Sequence, residues 1–171
     1  MKARSLALVA LIFSAISGLS AAGQSPPAPY MAVEIDKFVA APGVAFPTDY
    51  QSALVEDIAH EVSLAFETVM IVRQGDAAPY GRAVLRISGI VTNFKPGNRR
   101  KRQVIGLGAG ATVVDAQVQF SDAATGRILL NRQVKGVTWT GIAGGDSKGA
   151  GESLARKIAK LCNTARLIES N

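Results

Sequence analysis

Apolar and polar residues take turns along several parts of this chain. Leu85, Ile87, Gly89 and Val91 alternate with Arg86, Ser88 and Ile90. Val114, Ala116, Val118 and Phe120 alternate with Asp115, Gln117 and Gln119. A two-residue period places one set of side chains on a buried face and the other on an open one, so both stretches predict half-buried strands. The segment "YMAVEIDKFVAA", with Met31, Val33 and Ile35 alternating, predicts a first strand, and "MIVRQ" a short one. "SDAATGR" then reads as a tight turn into the strand "ILLNRQVKGVTW". Asp122 can cap that turn through its side chain, and Gly126 can take the left-handed conformation.

Two segments carry the helical period instead. Leu54, Ile58, Val62 and Ala65 form an apolar stripe widened by Val55 and Phe66, and the helix is expected to end near Val69. Thr48 stands at its expected N-cap, and Gln51 follows three residues on, as in a capping box. Near the end of the chain Leu154, Ile158, Leu161, Cys162 and Ala165 form a second stripe, with Asp146 or Ser147 as its cap. The predicted order is β-α-β-β-β-β-α. It implies an α+β fold, a mostly antiparallel sheet of about five strands with both helices on one face.

The first 22 residues fit neither period. Lys2 and Arg4 precede an apolar run from Leu6 to Ile16, and the small residues "GLSAAGQ" close it. This is the layout of a secretory signal peptide, with cleavage expected near Ala22. The run is too short for a membrane span, which needs about 20 residues. No cysteine stands near the cleavage point, so lipid attachment there has no acceptor. "GQSPPAPY", residues 23–30, reads as a Pro-rich linker, and residues 31–171 as a single α+β domain. A periplasmic location follows, with no transmembrane span in the mature chain.

Export changes the reading of charge and of cysteine. The whole chain carries 19 Lys and Arg against 13 Asp and Glu, a net charge of +6, and loss of Lys2 and Arg4 lowers it to +4. Lys95, Arg99, Arg100, Lys101 and Arg102 supply five positive charges, more than that whole excess. The basic character is therefore local and gives no reason to expect nucleic acid as a partner. Cys162 is the only cysteine, which excludes an internal disulfide and leaves stability to the core.

The local patch continues into glycine: "NRRKRQVIGLGAGATVV". Gly106, Gly108 and Ala111 loosely match a dinucleotide fingerprint. That motif needs a helix after it to hold the pyrophosphate, and here the alternating strand at Val114 follows. The Lys-Ser or Lys-Thr end of a P-loop is missing too, so nucleotide binding is not indicated. The plain reading is a long hairpin connection, with Pro96, Gly97 and Asn98 making a turn and the basic run solvated. The sharper reading is contact with an anionic surface. Lys95, Arg99, Arg100, Lys101 and Arg102 would meet phosphates, while Val104, Ile105 and the strip Gly106, Leu107 and Gly108 meet lipid or a partner. A third is a glycine strip packed against a neighbouring subunit.

Catalytic residues are sparse. His60, the single histidine, lies toward the polar side of the first helix, and a histidine-based metal site is excluded. Cys162 lies on an apolar stripe, the usual place of a small core residue. A nucleophile pair would require it to meet His60 across two helices. Glu56, Asp57 and Glu61 read as a solvated helix face, Trp139 as strand packing. No cofactor is indicated.

The run "ISGIVTNFKPGNRRKRQVIGLGAGATVVDAQVQFSDAATGRIL", followed by "GG" and a helix with "LARKIAK", resembles the bacterial envelope family known as domain of unknown function forty-four-ten. The likeness extends from about Met31 to Ala165. It implies a small domain similar to the TolB N-terminal and curli-secretion type, and it brings no catalytic residues. Many members of that family are lipoproteins; this chain departs from them in lacking the lipid-attachment cysteine. The expectation is an exported, non-enzymatic, envelope-associated binding or assembly protein. Its partner would be an anionic envelope surface or another envelope protein. The alternative is a small periplasmic hydrolase without a recognisable motif.

Overall fold

The computed structural model describes residues 30–72, 74–76, 82–97, 111–138 and 149–168. The signal segment, most of the linker, Trp139, the expected caps Asp146 and Ser147, and residues 98–110, which hold the basic run beyond Lys95 and its glycines, lie outside the described residues. The elements are β1 (Ala32–Ile35), β2 (Val39–Ala40), α1 (Thr48–Ala65), β3 (Met70–Val72), β4 (Val84–Lys95), β5 (Val113–Asp122), β6 (Ile128–Val137) and α2 (Gly149–Thr164).

The strands form one sheet in the order β3-β1-β4-β5-β6, with β2 also pairing with β4. The alternation along β4 and β5 is realised as expected. Leu85, Ile87, Val91, Val114, Ala116, Val118 and Phe120 are buried beneath the helices. Ser88, Asp115, Gln117 and Gln119 on the opposite face are half-buried. Both helices pack on the buried side, where Leu54, Ile58 and Val62 of α1 meet Leu154, Ile158 and Cys162 of α2 and the strands beneath. At the hairpin between β5 and β6, Asp122 Oδ1 accepts from the Thr125 amide (2.7 Å) and hydroxyl (2.8 Å). Gly126 there has φ +71°.

The sheet is mixed and six-stranded, not mostly antiparallel with about five. The β4-β5-β6 meander is antiparallel, but β1 runs parallel to both β3 and β4. The cause is α1. A helix that links two neighbouring strands carries the chain back across the sheet, so β3 starts from the same end as β1. The sixth strand, β2, came unannounced. The chain turns after Ile35, buries Phe38, and rejoins β4 with Val39 opposite Ile90. Gly89 makes that turn possible, because a β-carbon there would stand 2.3 Å from the Phe38 ring.

Two boundaries differ from the periodicity. Pro47, not Thr48, is the N-cap of α1, and it offers no side-chain acceptor. Its carbonyl takes the first bonds, from the amides of Tyr50 (3.0 Å) and Gln51 (3.1 Å), which makes Thr48 the first helical residue. Gln51 still reaches back, donating to the Phe46 carbonyl at 3.3 Å. The helix ends at Ala65 rather than near Val69. Phe66 turns extended (φ −141°) to put its ring into the core, and Ala65 stays exposed. Ala165 likewise lies just past α2 and is exposed. Tyr30, the last residue of the expected linker, is buried and donates its hydroxyl to Asp122 Oδ2 at 2.9 Å.

That acceptor sets a pH dependence. Burial works against the Asp122 charge. Hydrogen bonds from the Thr125 hydroxyl and amide, the Tyr30 hydroxyl and the Ala124 amide outweigh it and hold the carboxyl below its ordinary 3.8. A depressed carboxyl contributes stability that is complete above the unfolded value and is lost as pH falls through the folded one. Asp122→Asn is expected to be less stable than the native chain at pH 7. The gap should start to narrow as pH falls below about 3.8 and close only below the still lower folded value. Urea titrations at both pH values check this, and an unchanged gap in acid would refute it.

Candidate functional site

One end of the sheet gathers the connections that carry the unusual composition. β4 and β5 remain paired up to Lys95 opposite Val113. Just beyond, the Gly97 amide donates to the Thr112 hydroxyl at 3.0 Å. The connection of residues 98–110 thus starts and finishes at a closed hairpin root. β6 reaches the same end, where the Thr138 amide donates to the Thr112 carbonyl at 3.0 Å. Lys95 is exposed there.

Packing under this end is tight. A bulge between Val91 and Asn93 shifts the β4 register, so that Phe94 returns to the helix side opposite Val114. Its ring meets Phe46 edge-on, with centroids 5.1 Å apart, and lies 5.0 Å from the Tyr50 ring. Such aromatic contacts add about 0.5–1.5 kcal/mol each beyond the area they bury. The first turn of α2 lies close by, with Gly149 against Thr138 and Gly151 against the Asp57 carboxylate. A negative group at a helix N-terminus is favourable.

The acidic face of α1 is not uniformly solvated. Glu56 is exposed, but Asp57 and Glu61 are half-buried and turned toward α2. Arg156 stands 3.5 Å from Glu61. These carboxylates join the helices. His60 is exposed, as expected. Cys162 is fully buried, and burial pushes its thiol up to about 12. A thiol that stays protonated is a poor nucleophile. Cys162→Ala is expected to cost about 1–2 kcal/mol of stability and nothing else. Rapid reaction of the native protein with a thiol reagent would contradict that assignment.

A further charged group was not singled out in the sequence. Glu34 is 5% exposed on the face of β1 away from the helices. Its Oε2 lies 3.3 Å from Arg86 Nη2, and Asp36 Oδ2 lies 3.9 Å from Arg86 Nε. Burial raises the Asp36 carboxyl, Arg86 lowers it and Glu34 raises it again, leaving it above its ordinary value. Two carboxylates thus share one guanidinium. Glu34 and Asp36 looked like the polar half of an alternating strand, and only the parallel pairing with β4 brings Arg86 between them. Among the described residues, no group of three or more His, Cys, Asp or Glu could hold a metal ion.

Solved structures share this fold. A point variant of the PelC dodecamer from Paraburkholderia phytofirmans superposes with a TM-score of 0.57 at 14% identity, covering 85% of this chain and 96% of that one. The hypothetical protein CT253 from Chlamydia trachomatis gives 0.54 at 9% identity, covering 80% and 98%. Protein XCC0632 from Xanthomonas campestris, of family model DUF330, gives 0.51 at 11% identity, covering 82% and 90%. At such identities the likeness is one of fold. A search of curated proteins finds no match. Residues 41–141 match the family model described as Domain of unknown function (DUF4410), a span from the β2 end to just past β6 that includes the basic connection, and the chain belongs to that family.

Proposed function

We propose that this protein is exported and acts at the cell envelope as a non-enzymatic binding or assembly protein. Its contact surface is the basic, glycine-rich connection between β4 and β5. The observation that supports this reading is the closed root of that connection. Lys95 opposite Val113, and Gly97 bonded to Thr112, fix where the chain leaves and re-enters the sheet. Arg99, Arg100, Lys101 and Arg102 follow Lys95 in the sequence of that connection. Four or more cations close together hold an anionic membrane surface with about 1 kcal/mol each. Val104, Ile105 and Leu107 add apolar contact. The start of the chain, with its Lys2 and Arg4, apolar run and small residues, supports delivery to that compartment. PelC, which shares the fold, forms a dodecamer, and this adds self-assembly to the roles considered. No helix among the described residues is long and apolar enough to cross a membrane.

Co-sedimentation of the mature protein with vesicles tests the reading. Binding to anionic vesicles or to lipopolysaccharide is expected, weakening as salt rises and screening shortens. Neutral vesicles should retain little. Equal binding to neutral and anionic vesicles, or binding to neither, would remove the basic connection as the contact.

A further inference from the structure

A second surface lies on the flank of the molecule. β6 is an outer strand of the sheet, and α2 runs beside it. Between them is an open groove of about 380 Å3. Val134 and Leu161 give it an apolar floor, and Arg132, Lys157 and Lys160 stand around it with Lys135, whose ammonium also lies 3.9 Å from the Asp115 carboxylate of β5. Among the described residues, no acidic side chain lines it.

One wall of the groove is backbone. The Thr138 amide bonds to Thr112 of β5, so Thr138 faces inward, as do Gly136, Val134 and Arg132 at the two-residue spacing of an antiparallel ladder. The residues between them, Asn131, Gln133 and Lys135, turn their amides and carbonyls away from β5. One contact confirms this phase: Lys157 Nζ donates to the outward Lys135 carbonyl at 2.6 Å. A side chain from α2 thus stands where a neighbouring strand would supply a donor.

We infer that the outer edge of β6 and the basic flank of α2 bind an extended acidic peptide segment of a partner protein, added to the sheet as a further strand. The edge supplies main-chain hydrogen bonds, and these give a strand-adding ligand its affinity. The cations supply the selection. In an added strand every second side chain faces the α2 side, where Arg132, Lys157 and Lys160 stand, so carboxylates are wanted at alternate positions only. Lys157 releases the Lys135 carbonyl and turns to a carboxylate as the segment docks. The Asn131 carbonyl already accepts from Arg132 Nη1 at 3.2 Å, and a flexible polyanion would use the cations but leave the outward amides of Asn131 and Gln133 and the Gln133 carbonyl unused. The strand accounts for both halves of the groove.

The probe is a fluorescent ten-residue peptide alternating threonine and glutamate, titrated into the mature protein and read by anisotropy. Wild type is expected to bind it. Lys157→Glu with Lys160→Glu should weaken binding at least tenfold. Gln133→Pro keeps every charge and removes an outward amide, a change that an outer strand tolerates. It too should weaken binding at least tenfold, with circular dichroism verifying the fold. A peptide N-methylated at alternate residues should bind at least tenfold more weakly to the unaltered protein, which makes the result independent of any variant. Absence of binding to the probe overturns the inference. So does equal binding of the N-methylated peptide, or of dextran sulfate in place of the peptide, since either would make the groove a site for polyanions. Gln133→Pro should leave vesicle co-sedimentation unchanged, so this proposal and the membrane reading fail separately.

Discussion

Replacing Arg99, Arg100, Lys101 and Arg102 together with serine is expected to weaken binding to anionic vesicles by up to about a thousandfold. Each cation at an anionic surface contributes about 1 kcal/mol, so four remove about 4 kcal/mol. A factor of ten corresponds to about 1.4 kcal/mol. The loss should shrink as salt rises, because screening has already weakened the native contact. Leu107→Asp should behave differently. It places a charge where apolar contact is proposed, so its loss should persist at high salt. Both variants should melt like the native protein, since neither replaces a residue of the described core. Co-sedimentation isotherms across a salt series measure all of this. A four-fold variant that binds like wild type would leave the connection as a solvated hairpin loop.

Gly136→Ala is expected to destabilise the fold by about 3 kcal/mol, the upper part of the range for overpacking a core. A β-carbon at Gly136 would lie 2.2 Å from the Ala150 carbonyl oxygen and 2.9 Å from Leu154 Cβ. The nearest obstacle is backbone, so no side chain can swing aside, and α2 must move off β6. Glycine is needed there because the helix rests directly on the strand. For a domain of this size, 3 kcal/mol corresponds to a fall in Tm of roughly 6–12 °C. Gly43→Ala is a useful contrast, because nothing lies within 4 Å of its added carbon and only its positive φ of 82° is strained. Urea denaturation compares the two. A loss below about 1 kcal/mol at Gly136 would mean that α2 does not sit so close to β6.

Much of this architecture was legible because a period identifies a face. The alternation at Leu85 to Val91 and Val114 to Phe120 placed the buried side of β4 and β5 correctly, as did the stripe Leu54, Ile58 and Val62. The Asp122 and Gly126 turn was readable because its chemistry is local. Relations between distant segments were not. The parallel pairing of β1 with β3 follows from where α1 returns the chain, and periodicity carries no information about that or about the parallel pairing of β1 with β4. β2 is only two residues long, too short for any period. The cap of α1 shifted by one residue because Pro47 fixes its own φ and supplies the first carbonyl, whatever Thr48 offers.

The same division holds for the surfaces. The basic run was visible as composition, since four of its residues are adjacent. Lys95 is the one of them that the structure describes, and it is exposed. The groove beside β6 was invisible as composition, because Arg132 and Lys135 are separated in sequence from Lys157 and Lys160 and only the packing of α2 assembles them. Asp57 and Glu61 looked like solvent-facing acids until α2 covered one side of their helix.

Export is the claim on which the envelope role depends, and one measurement addresses it directly. Cells expressing the full chain are separated into cytoplasmic, periplasmic and membrane fractions, and the protein recovered from each is weighed intact by mass spectrometry. The expected result is a single mature species in the periplasmic or membrane-associated fraction, beginning at or near Gly23 and carrying no lipid. A cytoplasmic protein that retains Met1 would contradict it.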